Sequence, residues 1–181
     1  MGRRRRASMG LALLGAMGAT LGAGARPLEA DEEIRPAWMK LDAGRKVVQL
    51  TLVAAADGGN GTMNWNGYGN GDMTVTIPPG WKVEIELQNR GVRALPHRLV
   101  VIDDVKPLPV EGGKPAFPRA VTRRLVQGMM PPEIDSLDFT ASREGRFLIF
   151  CGVTGHGAAG MWDYLVVSKD ATAPGVQVRK K

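Results

Sequence analysis

The fold is decided by residues 147–162, which read FLIFCGVTGHGAAGMW. The four apolar residues before Cys151 predict a buried β-strand that ends at this thiol. A loop with four glycines follows and carries His156, and Met161 begins the next apolar stretch. Because glycine tolerates close approaches and unusual backbone angles, the loop can direct the side chains of Cys151, His156 and Met161 toward one point.

Short strands extend from this segment toward the N-terminus and the C-terminus. Residues 81–87 alternate apolar and charged side chains, which is typical of an antiparallel strand with one buried face. Other strands are predicted at residues 47–53, 73–77, 98–102, 137–141, 146–150 and 162–167. Residues 57–71 and 103–120 are rich in glycine, asparagine and proline and are predicted to be long loops. We therefore predict an all-β fold, a Greek-key β-sandwich of seven to eight strands.

The chain is expected to hold one folded domain, because 181 residues suffice for one ordinary core and are too few for two. Residues 46–168 are assigned to this domain, residues 26–45 to an irregular lead-in and residues 169–181 to a polar tail. Residues 1–25 are assigned to an export signal or an N-terminal anchor. In this leader an arginine cluster precedes an apolar stretch and a cleavage motif of small residues.

The leader predicts an exported protein, located in the periplasm or on the outer face of the cytoplasmic membrane. The cluster Arg3–Arg6 suggests export by the twin-arginine route. The apolar stretch is shorter and richer in glycine than a typical membrane span of ~20 apolar residues. An uncleaved leader would still allow association with the membrane, so both possibilities remain open.

The basic net charge does not predict a nucleic-acid partner. Of the 24 basic residues four lie in the leader, so the remaining chain carries 20 basic and 18 acidic residues. A chain this close to neutral has no concentrated basic surface for phosphates.

The single cysteine, Cys151, and the two histidines, His97 and His156, indicate the chemistry. One cysteine cannot form a disulfide within the chain, so its thiol is buried, paired with another chain or bonded to another group. Taken singly, such residues are usually packing residues. A thiolate, two imidazoles and a weak axial thioether together form the ligand set of a blue copper site. Zinc fits less well, because it prefers four firm ligands and a thioether is a poor one.

We predict one type 1 copper ion per chain, cycling between Cu(I) and Cu(II), with four ligands: His97, Cys151, His156 and Met161. The expected function is the transfer of single electrons. Enzymatic activity is not expected, because a second, catalytic copper site or a Ser-His-Asp triad would need histidines beyond those already used.

The alternative function is copper storage or delivery in the exported space. Four further methionines could handle copper through their thioethers: Met63, Met73, Met129 and Met130. Packing within the core and the loops is the simpler interpretation of these residues.

At these positions the chain resembles sulfocyanin, and more loosely rusticyanin. The matching motifs are Cys151-Gly-Val-x-Gly-His156-x3-Gly-Met161-Trp162 and, upstream, residues 64–67 (NWNG), 77–83 (IPPGWKV) and 95–97 (LPH). The resemblance runs from about Val47 to Val167, almost the whole predicted domain. It implies a cupredoxin fold and an exported or membrane-anchored type 1 copper protein that moves single electrons in a respiratory chain. We expect a monomer that reacts with redox proteins such as a cytochrome or a terminal oxidase.

One position departs from the pattern of these families. The residue after the first histidine is commonly Asn or Ser, whose side chain supports the cysteine loop by hydrogen bonding, whereas here it is Arg98. We expect Arg98 to point outward and a backbone amide to serve the thiolate instead. This change bears on the reduction potential more than on copper binding.

Overall fold

A computed structural model describes residues 31–56, 60–91, 94–123 and 127–179. Within these ranges the chain forms ten strands and no helix: β1 (Glu32–Ile34), β2 (Met39–Asp42), β3 (Val47–Ala54), β4 (Met73–Ile77), β5 (Lys82–Asn89), β6 (Leu99–Asp103), β7 (Ile134–Thr140), β8 (Gly145–Cys151), β9 (Trp162–Val167) and β10 (Gly175–Val178). The predicted leader, residues 1–25, lies outside the described residues. In the part of the chain that is described, no helix is long and apolar enough to cross a membrane.

The strands form two sheets that pack face to face. One sheet has the order β1-β10-β4-β9-β8-β6, and the other has the order β2-β3-β5-β7. Strands β3 to β8 alternate between the two sheets. Two pairs of neighbouring strands are parallel: β3 with β5, and β4 with β9. The predicted all-β Greek-key sandwich is therefore confirmed.

The core lies between the sheets and follows the alternation of the sequence. In β5 the side chains of Val83, Ile85 and Leu87 are buried, and the charged residues between them face outward. The ring of Trp65 is fully buried, and its indole N–H donates to the carbonyl of Ile149 at 3.2 Å. Burial of one such large apolar side chain contributes about 1.5–3 kcal/mol, so this layer fixes the two sheets against each other.

Three short strands lie where irregular chain was expected, so the described residues hold ten strands instead of seven to eight. Strands β1 and β2 fall in the predicted lead-in, and β10 falls in the predicted polar tail. Each has only three or four residues, which is too short for a periodic pattern to be read from sequence. Pairing with a longer neighbour stabilises them, as where Val176 of β10 lies opposite Val75 of β4.

Candidate metal centre

The register between β6 and β8 brings the first histidine to the cysteine. These strands are antiparallel, with Leu99 opposite Cys151. Side chains alternate between the two faces of a sheet, so His97, two residues before Leu99, lies on the same inner face as Cys151. The backbone of His97 also pairs with Met129, with N–H···O distances of 3.0 and 2.7 Å, which fixes the histidine at the sheet edge.

The other three donors are held by the metal loop, defined here as residues 152–160. The N–H of Met161 donates to the carbonyl of His156 at 2.9 Å, and the N–H of Cys151 donates to the carbonyl of Met161 at 3.0 Å. The N–H of His156 donates to the carbonyl of Val153 at 3.1 Å. These bonds fold the loop tightly, so Cys151, His156 and Met161 stand side by side.

All four predicted ligands meet at one point between the ends of the sheets. Nδ1 of His97 lies 3.1 Å from the sulfur of Met161, and Nδ1 of His156 lies 3.5 Å from Sγ of Cys151. The ligand atoms of His97, Cys151 and His156 all lie within 4.8 Å of one another. The two imidazole rings are tilted by 54° with their centroids 5.1 Å apart.

The site is buried, and burial sets its protonation. Burial, together with the charge of His156, lowers the pKa of His97 to about 4. Burial also lowers the pKa of His156 and raises the pKa of the Cys151 thiol to about 11. Both imidazoles are therefore neutral near pH 7, which is the form that binds metals, and the thiol loses its proton when a metal binds.

The donor chemistry fits copper. A thiolate and a thioether are soft ligands, and imidazoles suit both copper oxidation states. No carboxylate belongs to the cluster among the described residues, whereas calcium and magnesium need oxygen ligands. The residues present therefore match a type 1 copper ion better than zinc or a hard cation.

Backbone amides serve the sulfur of Cys151, as expected from the replacement of the usual Asn or Ser. The N–H groups of Arg98 and Val153 point to the sulfur and counteract the rise in the pKa of the thiol. The expectation that the side chain of Arg98 points outward is wrong, because the residue is buried inside the protein and is only 2% exposed.

A segment that the sequence analysis treated only as a loop supports the metal loop from one side. We call residues 104–120 the covering segment. The N–H of Gly155 donates to the carbonyl of Val110 at 2.9 Å, and the N–H of Gly112 donates to the carbonyl of Gly152 at 2.8 Å. The hydroxyl of Thr154 donates to the carboxylate of Glu111 at 2.7 Å. No motif in the sequence pointed to these contacts.

The asparagine-rich loop supports the metal loop from the other side. The side chain of Asn60 donates to the carbonyl of Ala159 at 3.1 Å, and the N–H of Asn70 donates to the carbonyl of Gly160 at 2.8 Å. A Cβ on Gly160 would overlap the side chain of Asn70. The density of asparagine and glycine in this stretch was the available signal, but it predicted only a turn-rich loop.

Comparison with known proteins agrees with this fold and site. A family model described as the Sulfocyanin (SoxE) domain matches residues 36–117 and 126–178. Sulfocyanin of Sulfolobus acidocaldarius is 28% identical over 140 residues, which cover 73% of this chain and 69% of that protein. A rusticyanin variant is similar in structure with a TM-score of 0.52 and 19% identity, covering 72% of this chain and 87% of that chain. Auracyanin B gives a TM-score of 0.50 and 15% identity, covering 73% of this chain and 95% of that chain.

The family match and the donor set, together with the fold, define a cupredoxin, the class of blue copper electron-transfer proteins. Within this class the chain belongs to the sulfocyanin family. The resemblance noted from the motifs and the prediction of copper as the cofactor are both confirmed. The family match also extends past Val167 to residue 178, so it includes β10.

Proposed function

We propose that this protein is a mononuclear type 1 copper carrier that shuttles single electrons between respiratory partners outside the cytoplasm. The ligands proposed are His97, Cys151, His156 and Met161. The observation that carries the proposal is the buried meeting of one thiol, two imidazoles and one thioether from distant parts of the chain. Bound copper supplies reversible one-electron exchange between Cu(I) and Cu(II).

The protein's part in this chemistry is to hold the donors still. His97 is fixed by its pairing with Met129, and the metal loop is hydrogen-bonded on both sides. A site held by packing and by supporting hydrogen bonds keeps its geometry when the charge of the bound metal ion changes. Little rearrangement then accompanies each electron, which favours rapid exchange.

His156 is the proposed route for electrons between the site and a partner. Its side chain is 9% exposed, whereas His97 is 0% exposed. The neighbouring Ala158 and Ala159 are exposed, and Met130, one residue after the bridge partner of His97, is 40% exposed. A small and weakly polar surface of this kind suits brief docking, because small interfaces without strong anchors release quickly.

Family membership and the leader support an exported location, in the periplasm or on the outer face of the cytoplasmic membrane. Suitable partners are redox proteins such as a cytochrome or a terminal oxidase. We propose a monomer, without a nucleic-acid partner and without enzymatic activity, in which an uncleaved leader would provide membrane association.

Copper storage or delivery, the alternative function, is less well supported. Met73 and Met129 are buried in the core, and Met63 packs against it, so these thioethers contact apolar neighbours. Met130 is the one exposed thioether of the four. A delivery protein would be expected to offer accessible donors for handing over Cu(I).

The visible spectrum of the oxidised, copper-loaded protein tests the proposal. A thiolate bonded to Cu(II) gives an intense charge-transfer band, so the wild type should be strongly coloured and Cys151→Ser should be colourless. Met73→Leu, which changes a buried methionine outside the site, is the matched control and should keep the band. A colourless wild type, or a coloured Cys151→Ser, would contradict the ligand assignment. Rapid loss of Cu(I) to a mild chelator would favour the delivery function.

A further inference from the structure

The side chain of Arg98 occupies the outer face of the sheet, directly behind the cysteine. Leu99 and Cys151 are opposite each other in the β6–β8 ladder, so Arg98 and Gly152 are the next pair along. A Cβ on Gly152 would come within 2.8 Å of Nε and 3.0 Å of Cζ of Arg98. The guanidinium and the carbonyl oxygen of Gly112 together fill the space that a side chain at position 152 would take.

The covering segment closes over this guanidinium. Gly112 bonds to the backbone of Gly152 at 2.8 Å, and Gly113 packs on the side chains of Ile102 and Val100. Arg98 is consequently 2% exposed. Arginine keeps its proton in proteins, so a positive charge is held in the interior at this position.

In the part of the chain that the structure describes, no carboxylate neutralises this charge. Within the described residues none of the ion pairs involves Arg98, and its Nε is buried without a hydrogen-bond partner. A buried charge without a partner is costly, and its field is felt strongly by nearby groups because little water screens it. The adjacent residue that becomes anionic when metal binds is Cys151.

We propose that Arg98 is a built-in positive charge that raises the reduction potential of the site by favouring its more electron-rich, reduced state. Reduction adds one negative charge to the site beside a fixed cation, and the attraction favours that state over the oxidised one. The inference rests on the proposed copper function of the same site. It assigns to Arg98 a role different from the hydrogen-bonding Asn or Ser that is common at this position.

The test is the reduction potential of the copper-loaded wild type, Arg98→Met and Arg98→Lys. Methionine has a similar length without the charge, so it keeps the packing over Gly152. We expect Arg98→Met to keep the intense visible band. At the same applied potential its ratio of reduced to oxidised protein should be about tenfold lower, which corresponds to a reduction potential lower by about 59 mV for one electron. Arg98→Lys should restore most of the difference. Arg45→Gln, which removes a charge from a side chain that is 76% exposed, is the matched control and should leave the potential unchanged.

Each outcome separates the two proposals. A wild type without the intense band overturns the copper function, and the inference falls with it. A coloured Arg98→Met with the wild-type potential, or a Lys variant shifted as far as the Met variant, overturns the role of the charge alone. If neither variant folds, Arg98 serves the architecture and the inference is likewise overturned.

Discussion

The sulfur of Met161 lies 3.1 Å from Nδ1 of His97, although the two residues are 64 positions apart in the chain. Met161 lies between the metal loop and β9, whereas His97 is fixed by its pairing with Met129 before β6. Both side chains are fully buried. The thioether is thus placed by the packing of the sandwich and does not depend on the metal loop alone.

Replacement of Met161 by glutamine should lower the reduction potential while copper remains bound. A thioether favours Cu(I), whereas an amide oxygen is a harder donor and favours Cu(II). Voltammetry of the copper-loaded Met161→Gln protein measures the shift. Met73→Gln is not a suitable control because it places a polar group in the core, so Met73→Leu is used instead. An unchanged potential in Met161→Gln would show that Met161 is only a core residue.

A negative charge beside His156 should slow electron exchange without changing the copper site. Ala158 is exposed on the metal loop, so Ala158→Glu places a charge on the proposed docking surface. Self-exchange, measured by line broadening, should fall several-fold at low ionic strength because like charges then repel at the contact. The spectrum and the potential should barely change.

The matched control for this surface is Ala43→Glu. Ala43 is exposed in the turn between β2 and β3, next to the start of β5. The other end of β5 lies near His97, because Asn89 donates to the carbonyl of Met129, the bridge partner of His97, at 2.7 Å. The control charge is therefore at the opposite end of the sandwich. Equal rates in the two variants would place the docking surface elsewhere.

Substitution of Gly157 by alanine should disturb the metal loop. A Cβ at this position would overlap the ring of Phe150, which is fully buried. Overpacking of this kind costs about 1–3 kcal/mol, and the displaced loop carries His156. We expect a lower melting temperature and an altered copper spectrum. Gly175→Ala, where a Cβ would meet no atom within 4 Å, should change neither, and a normal spectrum in Gly157→Ala would mean that the loop adjusts freely.

Asp135 is expected to stabilise the fold in a pH-dependent way. Burial by itself would raise the pKa of Asp135. The backbone N–H groups of Arg123 and Ser136 and the guanidinium of Arg123 donate hydrogen bonds to its carboxylate. These bonds outweigh the effect of burial and hold the pKa below its usual range. The unfolded chain therefore takes up a proton before the folded one does as the pH falls. The contribution is complete above about pH 4 and is lost below it.

Chemical denaturation of Asp135→Asn at pH 7 measures this contribution. We expect a loss of about 1–3 kcal/mol in the free energy of unfolding, because the hydrogen bonds from Arg123 and Ser136 lose a buried, charged acceptor. The difference from wild type should shrink below about pH 4. Asp138→Asn breaks a pair whose carboxylate is 33% exposed, so its loss should stay within about 1 kcal/mol. Equal losses in the two variants would contradict the role given to burial.

The sequence predicted the central strands and the grouping of the ligands because both follow from local patterns. The alternation in residues 81–87 predicted β5, and the spacing in residues 147–162 predicted a loop that gathers three donors. His97 could be added because it was the one histidine left over. Strands β1, β2 and β10 escaped prediction because they have only three or four residues and depend on pairing with distant neighbours.

The surroundings of the metal loop were also beyond the reach of the sequence. Its contacts with Val110 and Gly112 are backbone hydrogen bonds, and such bonds leave no signature in the residue types. The position of Arg98 required knowledge of the β6–β8 register, because one step along a strand decides which face a side chain takes. The departure at Arg98 could be seen in the sequence, whereas its burial could not.

The hydrogen bonds between the covering segment and the metal loop have a consequence for protein engineering. If residues 151–161 were transplanted into another β-sandwich, Gly155 and Gly152 would lose their partners at Val110 and Gly112. The glycine-rich loop would then lack the hydrogen bonds that hold its backbone in place. A portable version of this centre must include the covering segment as well as the metal loop and His97, so the smallest transferable module consists of separate stretches of chain that meet only in the folded protein.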